Sequence, residues 1–419
     1  RCGGRMTFIY EPGSGALLQY TSFDTVYLPI QGSLVSQTPG QAAISGRAGD
    51  ETNVAVVVDG QVASAFANVI LLGADTVGSS DNRLTIGSSG FVRGFAQGTE
   101  AFKDAVVVGG PNSQVINYGA VVGERAFRID NLDGGAFLNA GQVSADLEAV
   151  LIENASTISF TNSGVIFSQT RAVLVEASDV IVQNSGEMIG AGAAAEALFV
   201  DDASTLVLNN SGLITSNNVA VRAGALVDIV RNRGDITGDV TLGAGDDVYL
   251  GRAGGAVHGT VLGEAGEDAL TGSSADDTFD GGDDVDVLRG RRGDDVLAGG
   301  VGADTLYGAR GDDTLDGGLW RDELRGGRGD DLLTGGDGID TFVINRRNGD
   351  DVIADFVLGT DVLRLTSFRF ADFSEVLGVS YAADGGVMIE LDDYGGGSVE
   401  LENLAYATFA TLGASDVEV

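Results

Sequence analysis

Nine aspartates recur at a fixed interval of nine residues in the C-terminal half of the chain. They are Asp268, Asp277, Asp286, Asp295, Asp304, Asp313, Asp322, Asp331 and Asp340. An apolar residue lies two positions after each aspartate, and a glycine lies five positions before it. Carboxylate oxygens are the ligands that a hard divalent cation such as Ca²⁺ prefers. The spacing therefore predicts rows of metal sites.

The nine-residue period also predicts the elements that position these carboxylates. The apolar residue belongs to a short strand and faces a core, and a glycine-rich turn reverses the chain because glycine adopts left-handed conformations at low cost. Two repeats then form one coil, so residues eighteen apart stack at the strand spacing of roughly 4.8 Å. Stacked carboxylates repel one another, and a cation held by carboxylate and carbonyl oxygens relieves that repulsion. Metal binding is therefore expected to be part of folding.

These repeats resemble the G-G-x-G-x-D-x-U-x nonapeptides of the RTX family, whose Ca²⁺ ions lie between stacked turns. The resemblance covers residues 263–343 and implies several Ca²⁺ ions, roughly seven for nine paired repeats. It extends to Asp247, which lies in an upstream copy outside the nine-residue phase. It also assigns to the metal sites five glycines of the fourth repeat position: Gly293, Gly302, Gly311, Gly329 and Gly338.

Three repeats depart from glycine at that fourth position, with Ala275, Asp284 and Trp320. We expect their loops to bind less well or to be distorted. Trp320 is the only tryptophan, and we expect it to pack over a neighbouring turn, with a ligand contact as the alternative.

The residue before each repeat aspartate alternates in type with a period of eighteen. One set is Asp276, Asp294, Asp312 and Asp330, and the other is Val285, Ala303, Arg321 and Ile339. The two edges of the roll should therefore differ. The first edge also carries Arg292, Arg310 and Arg328, which we expect to form an exposed row that offsets carboxylate charge.

Residues 115–240 have a different period, marked by an asparagine two positions before a glycine. The markers begin at Asn117, Asn139, Asn162, Asn184, Asn210 and Asn232, at intervals of 22 to 26 residues. Short alternating apolar segments flank each marker, which predicts coils of three short strands with asparagine amides hydrogen-bonded from coil to coil. Residues 30–115 are predicted to form less regular rungs, with turns at 59–60 and 89–90. This half resembles the β-helices of bacterial surface proteins and polysaccharide-active enzymes.

The predicted fold is all-β: a right-handed parallel β-helix followed by an RTX parallel β-roll and a C-terminal β cap. Its predicted parts are an N-terminal segment (1–29), the β-helix (30–240), the calcium-binding roll (241–343, with regular repeats over 263–343), and the cap with a secretion signal (344–419). Residues 398–419 resemble the uncleaved C-terminal signal of type I secretion. That resemblance implies the type I secretion machinery as a partner and a secreted, extracellular or cell-surface location.

Composition excludes several classes of function. Sixty-one acidic residues against 24 basic ones give a net charge of −37, which argues against nucleic-acid binding because phosphate is repelled. No run of eighteen apolar residues is present, so no membrane span is expected. Cys2, Lys103 and His258 are each the sole residue of their type. A single histidine excludes metalloprotease and serine-triad chemistry.

The leading hypothesis is a secreted calcium-binding protein with a structural or adhesive role in an S-layer, a matrix or a filament. Its expected partner is itself or a cell-surface polysaccharide. The alternative is a polysaccharide-active enzyme, a lyase, epimerase or hydrolase, with a β-helix catalytic module. Asp201 with Asp202, or Glu148 with Glu153, would then supply the carboxylates. We expect these four to be solvated turn residues and the protein not to be an enzyme.

Overall fold

A computed structural model describes most of the chain. It covers residues 7–9, 18–20, 25–28, 33–36, 44–46, 55–64, 69–72, 81–94, 104–252, 254–365, 367–383, 386–412 and 416–419. The chain divides into two compact units. We call Arg1–Leu226 with Gly234–Val240 the upstream unit, and Val227–Arg233 with Thr241–Val419 the downstream unit. Cys2 and Lys103 lie outside the described residues.

The upstream unit is a parallel coil with three strands per turn, as the asparagine period predicts. The first series of stacked strands is β1 (Thr7–Ile9), β3 (Thr25–Leu28), β6 (Ala55–Val58), β9 (Arg83–Ile86), β12 (Gln114–Asn117), β15 (Ala136–Asn139), β18 (Thr157–Asn162), β21 (Asp179–Asn184) and β24 (Leu206–Asn210). The second is β4 (Ser33–Ser36), β7 (Gln61–Ser64), β10 (Phe91–Gly94), β13 (Ala120–Gly123), β16 (Gln142–Ala145), β19 (Val165–Ser168), β22 (Glu187–Gly190) and β25 (Leu213–Arg222). The third is β2 (Leu18–Tyr20), β5 (Ile44–Gly46), β8 (Ile70–Leu72), β11 (Asp104–Gly109), β14 (Arg125–Asp130), β17 (Val150–Glu153), β20 (Arg171–Glu176) and β23 (Glu196–Val200).

Coil pairing in the upstream unit begins before residue 30. Strand β1 pairs with β3, and β2 pairs with β5, all in parallel register. The predicted turns at 59–60 and 89–90 connect strands of the first and second series, as expected.

A ladder of buried asparagines runs through the first series. The side-chain amide N–H of each donates to the side-chain oxygen of the next: Asn117 to Asn139 (2.8 Å), Asn139 to Asn162 (2.8 Å), Asn162 to Asn184 (2.9 Å) and Asn184 to Asn210 (2.8 Å). The same oxygens of Asn117 and Asn139 accept from the backbone N–H two residues on, which caps the turn. The ladder predicted from the sequence is confirmed over these five residues.

The downstream unit is a parallel coil with two strands per turn of eighteen residues. Its first series is β26 (Ile229–Asn232), β28 (Val248–Gly251), β31 (Ala269–Thr271), β33 (Val287–Arg289), β35 (Thr305–Arg310), β37 (Glu323–Arg328), β39 (Thr341–Val343), β41 (Val362–Arg364) and β45 (Val417–Glu418). Its second is β30 (Val261–Ala265), β32 (Thr278–Asp283), β34 (Val296–Val301), β36 (Thr314–Trp320), β38 (Leu332–Gly338), β40 (Asp350–Ile353) and β44 (Ser398–Glu402). Strands β27 (Asp235–Ala244) and β29 (Ala256–His258) precede β30 in sequence.

The apolar residue of every nonapeptide forms the core of the roll. These side chains are at most 1% exposed: Leu270, Phe279, Leu288, Leu297, Leu306, Leu315, Leu324, Leu333 and Phe342. The stacking of residues eighteen apart is also confirmed, for example Leu288 with Leu306 and Leu297 with Leu315.

The segment after the repeats is not purely β. It contains helices α1 (Phe373–Gly378) and α2 (Tyr406–Leu412), a 3-10 turn (Asp392–Tyr394), and strands β42 (Ser380–Ala383) and β43 (Gly386–Glu390). Strand β43 pairs antiparallel with both β42 and β44. Such a reversal stops further parallel addition at that strand edge, which suits a cap.

Candidate metal centre

The structure places the predicted aspartates in two buried columns, one at each edge of the roll. We define the first edge by the turns 272–277, 290–295, 308–313 and 326–331, and the second edge by 263–268, 281–286, 299–304, 317–322 and 335–340. The first column holds Asp277, Asp295, Asp313 and Asp331, and the second holds Asp247, Asp268, Asp286, Asp304, Asp322 and Asp340. All ten side chains are at most 2% exposed.

In nine of these ten carboxylates, all but Asp277, one oxygen accepts a hydrogen bond from the backbone of the preceding coil. The backbone N–H of Asp286 donates to Asp304 Oδ1 (2.8 Å), and that of Asp304 donates to Asp322 Oδ1 (2.8 Å). The same bond recurs along both columns, at 2.6 to 3.2 Å. These bonds fix the orientation of the carboxylates that accept them.

The other oxygen has no hydrogen-bond partner within the described part of the chain. This holds for the buried Oδ2 atoms of Asp247, Asp268, Asp286, Asp295, Asp304, Asp313, Asp322, Asp331 and Asp340. A buried polar atom left without a partner costs about 1–3 kcal/mol, and more if it is charged. A bound cation, or protonation of the carboxyl groups, would lower the cost of nine such atoms in two rows.

A glycine carbonyl oxygen lies beside these unpaired atoms. A Cβ placed on Gly299 would stand 2.5 Å from both Asp304 Oδ2 and the carbonyl oxygen of Gly317 in the next coil. The same pairing of oxygens recurs around Gly272, Gly281 and Gly317. No cluster of three or more His, Cys, Asp or Glu side chains is found among the described residues, so a cation here must also use backbone carbonyls. An all-oxygen set of this kind fits Ca²⁺.

The glycine five residues before each aspartate is required for a different reason from the predicted one. None of these nine glycines lies in the left-handed region. Instead, a Cβ on any of them would stand within 2.7 Å of Oδ2 of its own repeat aspartate. The left-handed residue is the next one along, as at Gly282, Gly300, Gly318 and Gly336. The prediction of left-handed turns is correct, but it applies to the second residue of the repeat and, in several turns, to the fourth.

The five glycines predicted at the fourth repeat position line the turns that separate successive carboxylates. Gly293, Gly311 and Gly329 have φ of 106°, 122° and 126°. A Cβ on Gly302 would overlap the carbonyl oxygen of Asp284, and a Cβ on Gly338 would overlap that of Trp320. Their participation in metal binding stays a prediction.

Burial raises the pKa of the column carboxyls, because the charged form loses water. Burial raises the pKa of Asp286, Asp295 and Asp331 to about 8. It raises that of Asp304, Asp313 and Asp340 to about 6. The accepted backbone hydrogen bonds act in the opposite direction, and neighbouring column carboxylates raise the pKa of Asp286, Asp295 and Asp331 further. Ionised columns are therefore unfavourable without a cation.

Sequence reasoning missed three members of the columns. The backbone N–H of Asp331 donates to Asp351 Oδ1, that of Asp340 donates to Asp361 Oδ1, and that of Asp228 donates to Asp247 Oδ1. Each lies 20, 21 or 19 residues from its neighbour in the column, instead of the eighteen of the regular repeats. A strict nine-residue alignment therefore skips all three. The signal present was an apolar residue two positions later: Ile353, Leu363 and Val230, all buried.

Two of the three substituted fourth positions have a left-handed backbone, and weaker metal binding by these loops stays a prediction. Asp284 and Trp320 have φ of 80° and 96°, a region that costs a non-glycine residue energy. In the Ala275 repeat, the backbone N–H of Ser273 donates to Asp277 Oδ2 (2.7 Å). Asp277 is thus the repeat aspartate whose second oxygen is already satisfied.

The predicted packing of Trp320 over a neighbouring turn is wrong, because its side chain is 69% exposed.

The two edges differ as predicted. On the first edge the exposed aspartates form a second ladder, in which the backbone N–H of Asp294 donates to Asp276 Oδ1, Asp312 to Asp294 and Asp330 to Asp312, each at 2.9 Å. On the second edge Val285 and Ile339 are exposed.

The repeats match the family model of the RTX calcium-binding nonapeptide repeat over residues 262–297, 289–319 and 321–342. The chain carries RTX calcium-binding repeats. The buried carboxylate columns described above are those of this RTX roll. No curated protein matches the chain. No helix among the described residues is long and apolar enough to cross a membrane.

Three of the four carboxylates considered for catalysis take part in structural contacts in the upstream unit, so the expectation of solvated side chains holds only for Asp202. Glu148 pairs with Arg125 (3.1 Å), and Glu153 pairs with Arg128. Asp201 accepts hydrogen bonds from the backbone N–H of Ala177 and from the Ser204 hydroxyl. Asp202 is exposed. His258 in the downstream unit is exposed, as expected.

Proposed function

We propose that this protein is a secreted calcium-dependent structural module. Its RTX roll folds when Ca²⁺ binds, and the folded chain associates with itself or attaches to a cell-surface polysaccharide, as in an S-layer, a matrix or a filament. The observation that carries the proposal is the pair of buried carboxylate rows with unpaired Oδ2 atoms. Such rows are unfavourable until cations bind to them, so external Ca²⁺ determines whether the roll folds and presents its surface.

In this proposal the cation lies between successive turns of the roll. Oδ2 of Asp268, Asp286, Asp304, Asp322 and Asp340 would bind on the second edge, and Oδ2 of Asp295, Asp313 and Asp331 on the first. Glycine carbonyls of the adjoining coil complete the oxygen set. Mg²⁺ should be a poor substitute because it demands octahedral geometry and dehydrates reluctantly.

A circular-dichroism titration with Ca²⁺ and Mg²⁺ tests the metal step. We expect β-structure to increase at millimolar Ca²⁺ and to change little with Mg²⁺. No change in β-structure with Ca²⁺ would refute the proposal.

Electron microscopy with and without Ca²⁺ tests assembly. Light scattering at Ca²⁺ concentrations that already saturate folding tests whether Ca²⁺ promotes association beyond its effect on folding.

Export is proposed to occur through a type I secretion system. Low cytosolic Ca²⁺ would keep the roll unfolded for passage, and millimolar external Ca²⁺ would fold it. Export from a host that carries a type I exporter should require residues 398–419. Equal export of a chain that lacks them would contradict this assignment.

A second candidate is catalysis on an acidic polysaccharide by the upstream unit. A cavity of about 380 Å³ there is lined by Arg93, Glu124 and Asp146, among others. Oε2 of Glu124 is buried and has no hydrogen-bond partner within the described chain. A guanidinium beside two carboxylates could neutralise a uronate and supply an acid and a base. Release of unsaturated or reducing sugars from uronate polymers, abolished by Glu124→Gln, would favour this candidate over the structural one.

A further inference from the structure

The first edge of the RTX roll presents two parallel rows of opposite charge. Arg292, Arg310 and Arg328 form one row, and Asp294, Asp312 and Asp330 form the other, two residues further along each turn. All six side chains are exposed. Arg310 and Arg328 are direct strand partners in parallel register, and a Cβ on Gly311 would overlap the Gly293 carbonyl oxygen, which places the Arg292 turn on the Arg310 turn.

The aspartate row is fixed in orientation by the backbone. The side chains of Asp276, Asp294, Asp312 and Asp330 each accept a hydrogen bond, through Oδ1 at 2.9 Å, from the backbone N–H of the aspartate in the following coil. The row therefore needs little ordering before it meets a partner, which lowers the entropic cost of binding.

The three guanidinium groups of the arginine row form no ion pair within the described part of the chain. Other arginines of the same unit do: Arg325 and Arg364 both pair with Glu323. Rows that carry opposite charges and are not paired with each other can be paired by another molecule.

We propose that the first edge is a self-recognition surface that binds the first edge of a second copy of this chain. A two-fold axis parallel to the stacking direction of the coils exchanges the two rows, so the arginines of one copy face the aspartates of the other. Each of the three turns then contributes two reciprocal ion pairs. A two-fold axis across the stacking direction would instead face arginine with arginine, so the rows select one orientation.

This inference rests on the proposed function, of which it specifies the associating surface. It requires Ca²⁺ only to fold the roll, and the contact itself is ionic. Exposed ion pairs are weak and are screened by salt over a Debye length of about 8–10 Å. The resulting dimer is expected to be weak and to dissociate as NaCl increases at constant, saturating Ca²⁺.

Sedimentation velocity of the full chain at saturating Ca²⁺ tests the surface. We expect association in about 50 mM NaCl, with a dimer dissociation constant at least tenfold weaker in about 500 mM NaCl. We expect the triple variant Arg292→Glu/Arg310→Glu/Arg328→Glu to be monomeric. The corresponding triple Arg→Lys variant should still associate. Asp294→Asn/Asp312→Asn/Asp330→Asn should weaken association while it keeps the Oδ1 acceptors of the ladder.

Arg321→Glu, an exposed arginine on the second edge, is the matched control and should associate like the wild type. Circular dichroism confirms that each variant folds with Ca²⁺. If the wild type associates and the triple Arg→Glu variant associates equally, the first edge is not the surface and the proposed function stands. A wild type that is monomeric at every Ca²⁺ and salt concentration overturns this inference and the self-association part of the proposed function, and leaves attachment to a polysaccharide as the remaining part.

A spin label tests the orientation of the two copies. It is attached to Ser274→Cys, at an exposed position of the first edge, in a chain that also carries Cys2→Ser. With the parallel axis, the two labels lie at the same level across the interface. An axis across the stack, centred on Arg310, would separate them by four coils, roughly 19 Å along the stack. Distances between the two labels that include this offset along the stack would overturn the proposed geometry.

Discussion

A single atom, Oδ2 of each repeat aspartate, links the sequence pattern to metal dependence. Its partner oxygen is held by a backbone N–H of the preceding coil, so the carboxylate cannot turn away from the row. The glycine five residues earlier leaves space for Oδ2 and exposes a neighbouring carbonyl oxygen. Aspartate and glycine columns are thus two parts of one site.

Gly299→Ala tests this relation. The added methyl would stand 2.5 Å from Asp304 Oδ2 and from the Gly317 carbonyl oxygen, so it should displace both oxygens. We expect a loss of about 1–3 kcal/mol in the free energy of unfolding, typical of an overpacked site, and a higher Ca²⁺ midpoint in a circular-dichroism titration. Gly378→Ala, where no atom lies within 4 Å of the new Cβ, should leave the midpoint unchanged. An unchanged midpoint for Gly299→Ala would argue against this site.

At the scale of elements, each unit stacks its coils through one kind of polar ladder. The upstream unit uses neutral asparagine amides, each of which donates to one neighbour and accepts from the other, so the ladder is self-sufficient. The downstream unit uses carboxylates, which only accept, so nine of its rungs leave one oxygen without a hydrogen-bond partner within the described chain. This difference in donor capacity makes only the second ladder dependent on a cation.

Asn162→Ala should weaken the upstream unit. The change leaves the amide N–H of Asn139 without its acceptor and the side-chain oxygen of Asn184 without its donor. Each buried unpaired group costs about 1–3 kcal/mol. Urea unfolding should show a loss within or above that range, whereas Asn209→Ala, at a half-buried outward position of strand β24, should change stability by less than about 0.5 kcal/mol. Equal effects of the two variants would contradict the role of the ladder.

The metal-free roll should become less stable as the pH rises. The pKa of Asp286, Asp295 and Asp331 is raised from the ordinary value of 3.8 to about 8. Between about pH 4 and pH 8 the folded roll therefore binds more protons than the unfolded chain, so the free energy of unfolding falls with increasing pH. Ca²⁺ needs ionised carboxylates, so its affinity should increase over the same range.

Circular dichroism in Ca²⁺-free buffer near pH 4.5 and near pH 8 measures the first effect, and Ca²⁺ titrations near pH 6 and pH 8 measure the second. Acid should partly replace Ca²⁺ in supporting β-structure. A metal-free roll that is more structured near pH 8 than near pH 4.5 would show that the sign is wrong.

At the scale of the whole molecule, the two ladders predict separate responses to chelation. Among the described residues, the apolar core and amide ladder of the upstream unit hold no cluster of metal-ligating side chains, whereas the downstream unit is expected to depend on its carboxylate rows. Limited proteolysis in chelator should therefore leave a resistant fragment near residues 1–245, and excess Ca²⁺ should protect the repeats as well. Digestion of both units at the same rate in chelator would indicate one cooperative unit.

The nine-residue and 22-residue periods alone were sufficient to predict two kinds of parallel coil, the buried leucine column and the asparagine ladder. Periodic sequences permit this because each coil contacts its neighbours through equivalent positions. The same reasoning missed Asp228, Asp351 and Asp361, because a longer intervening loop changes the spacing while the carboxylate keeps its place in the column.

What only the tertiary structure decided is which atoms are satisfied and which positions face solvent. The sequence indicates where an aspartate recurs, but not that Oδ1 is taken by a backbone N–H while Oδ2 is left without a partner. It indicates a glycine column, but not that close approach of a carboxylate, rather than a left-handed turn, requires it. It also led to a wrong prediction for Trp320, whose side chain is exposed. Each of these features depends on contacts between coils, whose geometry is set only when the chain has wound.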